Sequence, residues 1–155
     1  MEPTSLLPLR WGVAGERVAA GLLLIVAGAV TIAGANAYAF WLILPGTAAH
    51  LAGWCIMPSD GWRRVVAAIV STPAVWLLLT GPHFIGVLVL PYVGWMLVRH
   101  RPARAYVTVI FPIAGAVLIG NAFPDYSGML AALGIEGAVL AASAWLARLI
   151  SRPSP

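Results

Sequence analysis

The chain has no lysine, one cysteine (Cys55) and only 9% charged residues. A single thiol excludes an intrachain disulfide and a cysteine-built metal cluster. The three histidines, His50, His83 and His100, are too far apart for a local ligand pair such as HxxxH, so neither a metal nor a cofactor is expected. Soluble domains run near ~25% charged. A chain that is 61% hydrophobic, with a mean hydropathy of +0.93, lacks the polar residues to coat a water-soluble fold. Catalytic signatures are also missing: there is no nucleophile elbow, HExxH, GxGxxG or P-loop pattern. An enzyme is therefore the least favoured reading. The absence of lysine by itself excludes nothing.

What is present is arginine, in a pattern. All nine basic residues are arginines. Arg10 and Arg17 precede the first apolar stretch. Arg63 and Arg64 separate the second from the third, Arg99, Arg101 and Arg104 separate the fourth from the fifth, and Arg148 and Arg152 close the chain. The alternate connections, around Asn36, Pro82 and Asp125, carry none. Cationic flanks stay on the cytoplasmic side of a membrane. The formal net charge of +4 thus reads as topology and contact with anionic lipid, not as nucleic-acid binding.

A helix crossing ~30 Å of hydrocarbon needs ~20 residues. Six segments fit, at about 17–34, 38–57, 62–80, 83–98, 104–122 and 127–149. The expectation is a single all-α domain over 1–155, a polytopic bundle of six transmembrane spans with cytoplasmic N and C termini, in a bacterial plasma (inner) membrane. Residues 1–16 are expected along the inner surface. Trp62, Trp95 and Trp145 fall near inner ends, and Tyr38, Trp41 and Tyr126 near outer ends, as aromatic belts do. Arg17, the first apolar run and Ala35-Asn36-Ala37 also fit a cleaved signal peptide. The run is long for that, and Glu2, Glu16 and two prolines precede it.

Four of the spans carry one internal proline each: Pro45, Pro73, Pro91 and Pro112. Each lies ~10–15 Å from its outer end at 1.5 Å per residue. Proline deletes a helical hydrogen bond, and the freed carbonyl is tolerated in hydrocarbon where it faces protein or a water-filled cavity. The prolines are expected to line a cavity in the outer half, with Ser71 and Thr72 satisfying backbone freed near Pro73. The plainer account is that proline is frequent in membrane helices.

Glu136 is the one acid deep inside a span. A charge there costs from ~3 kcal/mol upward, so such residues face the bundle interior and mark pathways or proton relays. Trp145, nine positions on, points the opposite way, which turns Glu136 inward with Met129, Ala132, Leu133 and Ser143. His50 is its expected partner: it lies at similar depth, faces inward by the same argument from Trp41, and shares its face with Thr47 and Trp54. Glu136, His50, Thr47 and Ser143 form the expected ligand- or proton-binding group. The structural alternatives are an acid making one interhelical hydrogen bond and a satisfied core histidine. Asp60 and Asp125 fall in opposite loops, which excludes a carboxylate pair; Asp125 is expected to cap the sixth helix.

Small residues recur four apart at Ala29, Ala33 and Ala37 and at Gly134, Ala138 and Ala142. Such faces let membrane helices approach closely, which predicts a homodimer or a larger membrane complex. Two functions follow as expectations. One is a small transporter, channel or membrane ligand-binding component with an intramembrane acid. The other is a non-catalytic accessory subunit.

Overall fold

A computed structural model describes residues 12–151. Arg10, Trp11, Arg152 and most of the expected surface segment 1–16 lie outside the described residues. Those described fold into six helical rods: α1 (Ala14–Ala33), α2 (Phe40–Ile56), α3 (Gly61–Thr80), α4 (Pro82–Val98), α5 (Ala103–Ala122) and α6 (Tyr126–Ile150). Four of these, α1, α3, α5 and α6, are long and apolar enough to cross a membrane; α2 and α4 are shorter apolar helices.

The prolines shape the rods locally. In α2, α4 and α5 a 3-10 stretch (Phe40–Leu42, Pro82–Leu88 and Ala103–Val109) gives way to α-helix at Ile43, Val89 and Ile110. The third α residue is then Pro45, Pro91 or Pro112. A proline leaves the carbonyl four residues back without its α-helical donor. Those carbonyls, on Trp41, Val87 and Thr108, all lie in the 3-10 stretch, where the i→i+3 pattern supplies another donor. In α3 a 3-10 turn at Leu77–Thr80 follows Pro73.

Consecutive rods run antiparallel. The α1–α2 seam is built from glycine: a Cβ at Gly28 would stand 2.5 Å from the Gly46 carbonyl, and one at Gly53 2.7 Å from the Gly21 carbonyl. The backbones therefore touch, as small residues permit between membrane helices. This corrects the expected small face of α1. Ala29 and Ala33 are buried, but in the core with Val75, Leu78 and Ile85, and Ala37 lies past the helix end and is exposed. On α3 and α4, Ala67 meets Gly94. Ala105 at the start of α5 packs with Met96 and Ala147, near the ends of α4 and α6. Tyr126 closes the bundle: its hydroxyl donates to the carbonyls of Ala33 and Ala35 at the end of α1.

This order gathers the described arginines at one end, where three of them bind helix C-termini. Arg17, 4% exposed, donates from Nε and Nη2 to the Ile56 carbonyl at 3.3 and 3.1 Å. Arg64 donates to the Cys55 carbonyl at 2.5 Å and Arg63 to the Leu97 carbonyl at 2.9 Å. The last carbonyls of a helix lack intrahelical donors, and a cation there also complements the helix dipole. Asp60 sits 3.5 Å from both Arg63 and His100. Asp125 stands at the position preceding α6, but its side chain makes no capping bond, contrary to expectation.

Candidate functional site

The two groups expected to meet are held in different parts of the bundle. His50 lies in α2, between α1 and α3, and is fully buried. Trp54, one turn on, donates its indole N–H to Nε2 at 3.1 Å. An indole nitrogen only donates, so Nε2 accepts and the ring hydrogen sits on Nδ1, 3.1 Å from the Ile25 carbonyl of α1. The Ser71 hydroxyl of α3 lies 3.0 Å from Nε2. Gly28 admits this arrangement, since a Cβ there would fall 2.6 Å from the His50 backbone nitrogen. Both ring nitrogens are thus engaged across three helices, the pattern of a satisfied core histidine. Thr47, on the same rod, accepts a bond from the Trp76 indole at 3.0 Å. Ser71 does not serve the backbone near Pro73, and the Thr72 hydroxyl is buried without a partner.

Glu136 is also fully buried, but both its carboxyl oxygens lack a hydrogen-bond partner. It faces α5 at Gly115, where a Cβ would stand 2.9 Å from Oε2 and 3.4 Å from Val139 Cγ1. Met129, Ala132, Glu136, Ser143 and Ala147 form the buried face of α6, as the helical wheel predicts. Ser143 spends its hydroxyl on its own helix, donating to the Val139 carbonyl at 2.7 Å. The expected Glu136–His50 pair is therefore not made. Both residues face inward as expected, but α6 packs on α4 and α5, while His50 is enclosed by α1, α2 and α3.

The four prolines differ in exposure. Pro45 and Pro73 are exposed, Pro91 is half-buried and Pro112 is buried. In α2, α4 and α5 the carbonyls freed by proline lie in 3-10 stretches of the same rod, which lessens the need for a common polar space. An open groove of about 480 Å³ between α4 and α5, walled by His83, Leu90, Ile113 and Val117 among others, includes none of them. Among the described residues, no three metal-ligating side chains converge.

Sequence reasoning missed Gly115 as the surface opposite Glu136, and Ser71 and the Ile25 carbonyl as partners of His50. Trp54 was within reach, because residues four apart share a helix face. Compared with protein-family models, curated proteins and solved structures, the chain matches none.

Proposed function

We propose that this is a multi-pass protein of a bacterial inner membrane, with six spans and its arginine-bearing end in the cytoplasm, and that it works as a small transporter or channel component through Glu136. Apolar side chains point outward on every rod, among them Leu23, Leu44, Ile69, Leu90, Leu118 and Leu130; a contiguous apolar exterior suits lipid. The two short rods gain length from their 3-10 stretches. With seven residues at ~2.0 Å and ten at ~1.5 Å rise, α4 reaches about 29 Å, close to the ~30 Å core of a bilayer. The arginine end is cytoplasmic by the positive-inside rule.

The observation that carries the functional reading is the unpartnered carboxyl of Glu136. An intramembrane acid is expensive and is retained for a pathway, and this one makes no structural bond. The test is flux of protons and small cations into proteoliposomes containing the wild type or Glu136→Gln. A flux that the substitution abolishes supports the reading, and equal behaviour of the two proteins ends it. Orientation is tested separately in a Cys55→Ser background: a cysteine placed at Asp125 should react with an impermeant maleimide from outside intact cells, and one at Asp60 only after lysis.

One feature favours the accessory-subunit reading as a second possibility. Gly134, Gly137, Ala138, Ala141 and Ala142 are all exposed on the outer face of α6, and a Cβ at Gly134 or Gly137 would meet nothing within 4 Å. Such a face suits a second copy or a larger partner. Its test is whether Ala138→Trp disperses an oligomer seen by light scattering in detergent.

A further inference from the structure

We propose that the species bound and released at Glu136 is a proton, and not a metal ion or an organic cation; this rests on the reading of Glu136 as the working group. Donor count and free space both decide against the larger cations. A hard cation must replace its water shell with several oxygens, six to eight for calcium and near-octahedral coordination for magnesium. The seam at Glu136 offers one carboxyl, set against the bare Cα of Gly115 and the methyls of Val139. Ser143, two turns along the same face, donates its hydrogen to the Val139 carbonyl. An organic ammonium needs volume as well as charge, yet even a single added methyl carbon at Gly115 would come within 2.9 Å of Oε2.

A proton needs neither a coordination sphere nor room. The carboxylate takes it from hydronium and leaves water; on release, water takes it back. The bound state is a neutral acid, which an apolar seam accepts far more readily than an ion with unfilled coordination. The titratable and charged groups on the elements packed against it are His83 and Tyr92 on α4, Arg104 and Tyr106 on α5, and Tyr126 and Arg148 on α6 itself, and Glu136 hydrogen-bonds none of them. Tyr92 is instead bonded to Thr108 at 2.6 Å.

Two measurements on the full chain test this. In proteoliposomes with an entrapped pH dye and a valinomycin-clamped potassium potential, the wild type should change internal pH faster than empty vesicles. Glu136→Gln should fall to the empty-vesicle rate, Glu136→Asp should keep part of the activity, and Gly115→Ala, which presses on Oε2, should slow it. By infrared difference spectroscopy, a protonated-carboxyl band absent from Glu136→Gln should vanish as pH is raised and stay unmoved by sodium or methylammonium at fixed pH. If sodium or methylammonium displaces that band, or is the ion whose flux needs Glu136, the proton assignment is overturned while Glu136 remains the working group. If no probe moves in a Glu136-dependent way, the working-group reading falls and the proton assignment falls with it.

Discussion

Replacing Glu136 with leucine should stabilise the protein, and the sign of that change separates a functional acid from a structural one. Both carboxyl oxygens are buried and unpartnered. A buried polar group left without a partner costs ~1–3 kcal/mol, and an apolar side chain of similar size removes that cost. The gain is trimmed by the fit: leucine's branch must settle against Gly115 and Val139, and small shape mismatches in a packed region cost up to ~1.5 kcal/mol. A net gain of about 1 kcal/mol is expected for Glu136→Leu. Glu136→Gln keeps the shape and leaves an amide as unsatisfied as the acid, so its change should stay within ~0.5 kcal/mol, the range of substitutions that remove no interaction. For a chain of this length ~1 kcal/mol corresponds to ~2–4 °C in Tm. The assay is reversible unfolding in mixed detergent micelles, followed by helical circular dichroism and tryptophan fluorescence. If both variants lost more than about 1 kcal/mol with helix content intact, the carboxyl would be holding α6 in place, and the functional argument built on its lack of partners would be wrong. A residue that lowers stability where it stands is the kind retained for activity.

Three further outcomes follow from the packing. Gly28→Ala forces a Cβ to within 2.5 Å of the Gly46 carbonyl, backbone against backbone, and should cost ~1–3 kcal/mol or more, whereas Gly134→Ala, which meets nothing within 4 Å, should be neutral in the same unfolding assay. Arg17→Ala removes two charge-assisted bonds to the Ile56 carbonyl, each class of bond being worth ~1.5–3 kcal/mol; loss of stability that Arg17→Lys restores only in part, measured by the same unfolding curves, is expected. His100 has φ 52°, the left-handed region that favours glycine, so His100→Gly should match or exceed the wild type in thermal stability. Both variants lose the 3.5 Å contacts to Ser59 and Asp60, but only His100→Ala keeps the strained backbone, so it should fall below His100→Gly.

The helices were legible because two independent signals coincide. Apolar runs are broken where Gly, Pro, Asn or Asp cluster or, before α5, by the arginines themselves, and arginines mark every second break. The expected segment 104–122 is the rod Ala103–Ala122 and the expected 62–80 is Gly61–Thr80. The fourth segment, the shortest, ends at Val98 as expected. The 3-10 stretches were not legible. They depend on how each chain absorbs a missing proline donor, and the same Pro rule is compatible with a kink, a bulge or a tightened turn. The role of the arginines was half legible: their side of the bundle follows from charge, but the bonds of Arg17, Arg63 and Arg64 to helix-end carbonyls depend on which helix ends lie beside them.

The Glu136–His50 pair was out of reach of the sequence for a geometric reason. Position along a span and direction around a helix are two coordinates, and the sequence supplies both. Contact between two helices needs a third, their order around the bundle. Short loops fix only that neighbours in sequence are antiparallel. α2 and α6 are four helices apart in the chain, so nothing local sets their distance. In the fold, α2 is enclosed by α1 and α3 while α6 lies on α4 and α5. With the pair dissolved, each residue must be judged by its own hydrogen bonds. His50 has both ring nitrogens engaged and is explained by packing alone. Glu136 has neither oxygen engaged, so packing leaves it unexplained. Rarity in the sequence drew attention to both residues, but the count of satisfied bonds leaves the functional argument with Glu136.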